Sequence, residues 1–558
     1  MKTQVGIKQG SVLKKFVLGA HPIIEHYLGK LKIREIVASH IKQDFRLHVP
    51  CEKVVAVLIH TILTAQKPMY EILDWVSPLS EQVIGLEPGE SEKMTDDRIA
   101  KTLDQFYDGK HKEVFFRLAL RAIKIFDLEC SRIHQDTTTV TFNGKYETWS
   151  AAELLTHGHN KDHRPDLKQL VLGISVTSDG AVPLDHQVYD GNQSDDRLHN
   201  DTHQRLRKLL GRSDFIYVAD CKLATAENLL KIVGCGGRFI SVMPRTWKED
   251  KQFRKEVMQN QVTWKHLLSR KNNRQPESKI DHYYLADGEY TTSAGYALLW
   301  IKSTQKAEQD AATRTRHIDD ALEQLRLLQG RLNTYKLKTR AAIQVAIRKI
   351  SRDNQSEKFL VCQIHSLREA KIHYEKRGRP GPNNPGKKTY TSYFSLSFEV
   401  DSKALAVAQL TNGVFPLITN VHKERSAKEI LEMYKFQPFL EKRHSQIKTY
   451  QQIAPAYVKK GERAVALLHM HVMALTVATL IERQIRLAMK KEGIKALPIY
   501  PTSLPCKYPT MFDIVRLFQE VERYEVSYDD RTLSFPADLT KEQAKVLELL
   551  DVPQANYH

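Results

Sequence analysis

The sequence predicts an α/β fold, a mixed sheet flanked by helices, with a helical N-terminal domain and an inserted α+β domain ahead of a helix that carries Glu441. Three observations point there. Apolar residues recur at three- and four-residue spacing up to about residue 130. The period then switches to two. From Asp214 onward, strand-like and helix-like segments alternate.

The helical part rests on stretches such as PCEKVVAVLIHTIL and TDDRIAKTLDQFY. In the second, Thr95 is placed to cap a helix whose first turn carries Asp96 and Asp97. The run RIHQDTTTVTF (132–142) is rich in β-branched residues and reads as a strand. KQLVLGISVTS and AVPLDHQVYD follow as a hairpin around Asp179-Gly180. Ser194, with Asp195 and Asp196 behind it, signals the start of a helix running to about Leu210. DFIYVAD (214–220) is a buried strand, ATAENLLKIV a helix and RFISVMP (238–244) another strand. An antiparallel hairpin followed by this alternation describes a mixed sheet.

Residues 245–412 break the order and read as an insertion. Strand-like pieces (HYYLADGEY, YALLWI, TYTSYFSLSFEV) surround a helical segment, 306–350. Its stripe of Ile318, Leu322, Leu325 and Leu332 is interrupted at Gln329, which favours a packed helical hairpin over an extended coiled coil. EKRGRPGPNNPGKKT (375–389) is a basic Gly/Pro-rich loop. Strand pattern returns at VFPLITN, and a long helix follows from Ser426. The expected domains are therefore 1–130, 131–244, 245–412, 413–490 (the return to the sheet-bearing domain) and a C-terminal region, 491–558.

Composition narrows the function. In 558 residues, 84 Lys and Arg against 66 Asp and Glu leave a net charge of +18, the sign suited to a polyanionic partner. Six scattered cysteines with no CxxC pair argue against a disulfide scaffold or a zinc ribbon and fit a reducing, cytoplasmic setting. The N-terminus lacks the pattern of a secretory leader. Ala464–Ile481 is apolar enough to span a bilayer, but His469, His471, Thr476 and Thr479 favour a buried core helix, and no membrane partner is expected.

The chemical signal is a set of carboxylates. Asp136 sits mid-strand between Gln135 and Thr137, where a charge is costly to bury unless paired or bound to a metal. Asp220 ends an apolar strand, where a parallel sheet opens a ligand crevice. Tyr434, Glu441 and Lys448 follow one another at seven-residue intervals, which on one helix would place them along a single face. Asp162, Asp166, Asp185 and Asp190 are rival acids, two in a polar loop and two at the far end of the hairpin.

These residues resemble the DDE transposases of bacterial insertion sequences, in particular the insertion-sequence-four superfamily. The resemblance is carried by DTTTV around Asp136, GHNKDHRPDLKQ (158–169), the GNxSD run at Gly191–Asp195, YVAD ending at Asp220, and Tyr434, Glu441 and Lys448 in the register of the C-terminal signature. Gln437 stands at that signature's Arg position, and Pro438 would kink the helix or start a fresh one just before Glu441. The similarity spans about 130–490. It implies a ribonuclease-H-like fold in which Asp136, Asp220 and Glu441 hold two Mg²⁺ ions, with Mn²⁺ as a substitute. Hard oxygen donors suit those ions independently.

The implied activity is hydrolysis of DNA at terminal inverted repeats, then attack of the freed 3′-hydroxyl on target DNA by two copies acting as a dimer on DNA, in the bacterial cytoplasm at the nucleoid. The alternatives are a nuclease of the same fold without strand transfer and a catalytically inactive DNA-binding regulator. Tyr434 and Lys448 are expected to hold the DNA backbone, with Lys442 or Arg443 supplying the charge that Gln437 lacks. His163, Arg164 and Lys168, in a basic cluster with His159 and Lys161, are expected to touch phosphate. Arg377 and Arg379 resemble the core of a minor-groove hook.

Overall fold

The computed structural model describes the chain apart from residues 1–11, 45, 144–154, 159–163, 194–196, 272–279, 374–385, 454–457, 459, 529 and 530. It forms two compact units, Met1–Ser241 with Glu432–His558, and Val242–Leu431.

The first unit begins with β1 (Val12–Val17) and six helices: α1 (His21–Leu31), α2 (Ile33–His40), α3 (Cys51–Thr64), α4 (Ile72–Val76), α5 (Asp96–Asp108) and α6 (His111–Phe126). Thr95 caps α5 as its position predicts, its side chain accepting from the Arg98 amide. The sheet follows. β2 (Arg132–Phe142) pairs antiparallel with β3 (Lys168–Thr177), which pairs antiparallel with β4 (Pro183–Asp190). Helix α7 (Leu198–Leu210) leads to β5 (Ile216–Val218), parallel to β2, and α8 (Ala226–Gly234) leads to β6 (Arg238–Val242), parallel to β5. The strand order is β4-β3-β2-β5-β6. The long antiparallel strands come first in the chain, and helices make the parallel crossovers. Ser194, expected to cap α7, lies outside the described residues.

The second unit holds α9 (Lys248–Met258), β7 (Trp264–Lys271), β8 (Ile280–Ala286), the two-residue β9 (Tyr290–Thr291) and β10 (Ala297–Ser303). Phe253 of α9 stacks on Trp300 of β10, ring centroids 3.9 Å apart. The segment read as a helical hairpin is α10 (Thr304–Gln329) and α11 (Arg340–Asp353). They pack on the next hairpin, β11 (Leu360–His373) and β12 (Lys387–Val400), around Leu325, Leu328, Ile343, Ile347 and Leu396. Gln329 interrupts the apolar stripe because its Nε2 donates to the Leu396 carbonyl at 2.8 Å. Then come α12 (Ser402–Leu410) and β13 (Val414–Thr419), which pairs antiparallel with β10.

The chain returns through α13 (Ala427–Tyr434) to α14 (Gln437–Ser445), a π-helical turn at Gln446–Tyr450, and α15 (Gly461–Lys491). Among the described residues α15 is the one helix long and apolar enough to cross a membrane, but nearly all of its apolar window is buried inside the first unit. The chain closes with α16 (Met511–Phe518), β14 (Glu522–Tyr528), β15 (Arg531–Phe535) and α17 (Lys541–Leu549). β1 adds antiparallel to β14, so the two ends of the chain share one small sheet.

Candidate active site

Register brings the first two acids together. In the parallel pairing of β2 with β5, His134 lies opposite Val218. Two residues further on stand Asp136, within β2, and Asp220, just past the end of β5. Their common place is the carboxyl end of the parallel strands, where β5 stops and the crevice opens. Asp136 is half-buried between buried neighbours Gln135 and Thr137, and its Oδ1 accepts from the Thr137 amide at 2.8 Å. Asp220 Oδ1 accepts from the Lys222 amide at 3.0 Å, and Ser241 Oγ on β6 donates to the Asp220 carbonyl at 2.6 Å. The loop after β5 is thereby tied back to the sheet.

The third acid arrives on α14. Gln437 Nε2 donates to the Gln135 carbonyl at 3.4 Å, and His444 Nδ1 lies 3.6 Å from Asp136 Oδ2. Gln437, Glu441 and His444 are spaced four and then three residues apart on α14, and Glu441, which is exposed, lies between the two residues that reach β2. Gln437 also lies beside His134, whose pKa burial pulls down to about 3, leaving a neutral ring under the helix. Phe436 covers that ring, centroids 4.6 Å apart.

Tyr434 gives the electrostatic reading of the cluster. Burial raises its phenol pKa first, and the carboxylates of Asp220, Glu441 and Asp136 raise it further. One hydroxyl therefore feels all three acids, contributed by a mid-strand, a strand end and a helix. It stays protonated as a hydrogen-bond donor.

The seven-residue face expected for Tyr434, Glu441 and Lys448 is corrected by the structure. Helix α13 ends at Tyr434, and α14 starts afresh at Gln437 with Pro438 in its first turn. The π-turn at 446–450 adds a further rotation before Lys448, which is half-buried. Tyr434 and Glu441 are brought together by this break rather than by a continuous helix. Arg443 is also corrected. It is only 6% exposed. Its Nη1 pairs with Glu482 at 2.6 Å, while Nε and Nη2 donate to the Ala181 and Gly180 carbonyls. That guanidinium holds the β3–β4 turn against α15 and is unavailable to a DNA backbone.

Lys442 is exposed, with Nζ 5.3 Å from the Phe439 ring centroid. Arg164 is exposed and paired with Asp166 at 2.7 Å, and Lys168 opens β3. His163, Arg377 and Arg379 lie outside the described residues, as does Asp162. Of the other rivals, Asp185 is held by Arg205 at 2.9 Å. Sequence reasoning missed Gln437 and His444 as positioning residues. Their seven-residue spacing astride Glu441 is the signal that could have found them.

The donor set is chemically suited to a hard divalent cation, being carboxylate oxygen throughout. Among the described residues no three His, Cys, Asp or Glu side chains converge closely enough to enclose a single ion.

Residues 14–120 match the family model described as a domain of unknown function, DUF4277. This is the helical N-terminal part. No curated protein matches the chain. Among solved structures, the chain is similar to one described as a piggyBac transposase synaptic complex with hairpin DNA, at 10% identity and a TM-score of 0.39, covering 88% of this chain and 79% of that one. A score that low leaves fold and function to this chain's own residues.

Proposed function

We propose that the chain is a DDE-type DNA transposase with a ribonuclease-H-like core, cutting DNA at element ends and joining the freed 3′-hydroxyl to a target. What supports this reading is the placement of Asp136 on β2 and of Asp220 just past the neighbouring β5, with Glu441 on α14, a helix whose Gln437 and His444 reach the strand that carries Asp136. The strand order β4-β3-β2-β5-β6, with one antiparallel half and one parallel half, is compatible with such a core.

In this reading Asp136, Asp220 and Glu441 would hold Mg²⁺, which would supply positive charge to the oxygens exchanged in an in-line displacement at phosphorus. The chain's own residues do the rest. His444 and the Thr137 amide fix the Asp136 carboxylate, Gln437 holds α14 to β2, and the neutral Tyr434 hydroxyl donates to a phosphate oxygen. Lys448 and Lys442 add backbone contacts, and two copies bring two DNA ends together.

The test is incubation of purified protein with a supercoiled plasmid carrying the coding region and its flanks, in Mg²⁺ and in Mn²⁺. Nicks or breaks at inverted repeats plus joined products are expected. Cleavage with no joined product would favour a nuclease, and binding without cleavage an inactive regulator.

A further inference from the structure

We propose that the distal half of the β11–β12 hairpin is a DNA-binding arm, a two-stranded ribbon that lies in the major groove of duplex DNA. This rests on the DNA-processing reading and names the element that grips the substrate. Near its base the hairpin is an ordinary core element, with Leu360, Cys362, Ile364, Phe394, Leu396 and Phe398 packed on α10 and α11. Pairing then continues without a break from Leu367↔Tyr393 to His373↔Lys387, where, apart from the half-buried Tyr393, the described side chains on both faces are exposed. Leu367 is 58% exposed, Ile372 49% and Tyr390 67%.

A paired ribbon bare on both sides pays the ordering entropy of its strands without a core to offset it, which points to a partner that the second unit alone does not supply. Its charge identifies that partner. The ribbon carries Arg368, Lys371, Lys387 and Lys388 against a single acid, Glu369. Cross-strand pairing puts Arg368 and Lys388 on one face and Lys371 and Lys387 on the other, so both faces are cationic. The unit that bears it, Val242–Leu431, holds 34 Lys and Arg against 20 Asp and Glu, so it carries 14 of the chain's 18 net positive charges in about a third of its length. Size fits as well. Seven residues per strand extend about 23 Å, and a two-stranded ribbon matches the ~12 Å width of the major groove. With two phosphate rows flanking that groove, cations on both faces of the ribbon each meet one.

The experiment compares the wild type, an arm variant (R368Q/K371Q/K387Q/K388Q) and D136N on a labelled 40-base-pair duplex of mixed sequence, with affinity measured across KCl concentrations. The four arm side chains are exposed, so the variant is expected to unfold at the wild-type temperature. Binding should weaken at least tenfold at 0.1 M salt, and the log–log salt slope should shrink by about two to three, since each lost phosphate contact removes ~0.9. D136N should bind as the wild type does. In parallel, p-benzoylphenylalanine incorporated at Thr391 should crosslink to the duplex under ultraviolet light. Unchanged affinity and slope in the arm variant, or no crosslink, would overturn the arm while leaving the cleavage reading intact. A changed oligomeric state with unchanged DNA affinity would make the ribbon a protein interface and overturn it equally. Failure of the wild type itself to bind duplex DNA would sink both readings.

Discussion

The two units differ in charge far more than in size would suggest. Met1–Ser241 with Glu432–His558 holds 50 basic and 46 acidic residues, almost balanced, and contains all three acids of the candidate site. Val242–Leu431 is shorter and strongly basic. A cluster of carboxylates repels phosphate, so a site built from them cannot draw a polyanion to itself. On the proposed reading, the contrast assigns chemistry and grip to different stretches of the chain, with the grip in the sequence interposed between Asp220 and Glu441.

The largest effects should come from breaking the acidic side. D136N, D220N or E441Q should each lower plasmid cleavage on the order of 10³-fold or more while leaving duplex affinity unchanged. Near-normal cleavage by any one of them would remove that residue from the site.

R443L should act on folding instead. It takes the nearest cation from Glu482, which is 1% exposed and receives Arg443 Nη1 at 2.6 Å, and leaves that carboxylate with Arg486 at 3.4 Å, the Gln446 side chain and the Met511 amide. A loss of about 1.5–3 kcal/mol in urea unfolding is expected, with residual folded protein still binding duplex. Wild-type stability would show that the pair is dispensable.

Q437A should sharpen the site's geometry. It deletes the bond from α14 to the Gln135 carbonyl, so cleavage should fall roughly 10- to 100-fold with a stability change near ~1 kcal/mol and no change in DNA affinity. Equal losses in cleavage and affinity would mean that Gln437 touches DNA rather than positioning Glu441.

The last effect is a slope in pH rather than a single loss. Burial pulls the His471 pKa down to about 3 from its usual 6.5, and His134 and His186 are likewise lowered to about 3. A group whose folded pKa is depressed contributes stability above its unfolded pKa, and that stability drains as pH falls from 6.5 toward 3. Each such ring costs up to ~1.4 kcal/mol per pH unit in that window. H471Q should flatten the acid limb of stability against pH between 6.5 and 4. An unchanged slope would show that the ring is already solvated.

Much of the first unit was legible in the sequence because its signals are local. The β-branched run around Asp136, the apolar strand ending at Asp220 and the Asp179-Gly180 turn each declare themselves within a dozen residues. Between Tyr434 and Lys448, Pro438 signalled the fresh helix that starts at Gln437, whereas seven-residue spacing is blind to the π-turn beyond it. Arg443 looked like a surface cation because its partner Glu482 is 39 residues away and its carbonyl acceptors lie some 260 residues away. Glu482, at the end of the apolar stretch of α15, was the available hint that a buried cation must meet it. The exposed half of the β11–β12 ribbon was invisible for another reason. A strand pattern records pairing, not whether anything covers the paired faces.

The central claim is that Asp136, Asp220 and Glu441 face one volume occupied by divalent cations. Replacing Mg²⁺ with Fe²⁺, adding ascorbate and peroxide, and mapping where the polypeptide is cut by hydroxyl radicals tests it most directly. Cuts clustered near residues 136, 220 and 441, all suppressed by excess Mg²⁺ and all lost in D136N, are the predicted result. Cuts near one of the three alone, or a pattern that D136N leaves unchanged, would contradict it.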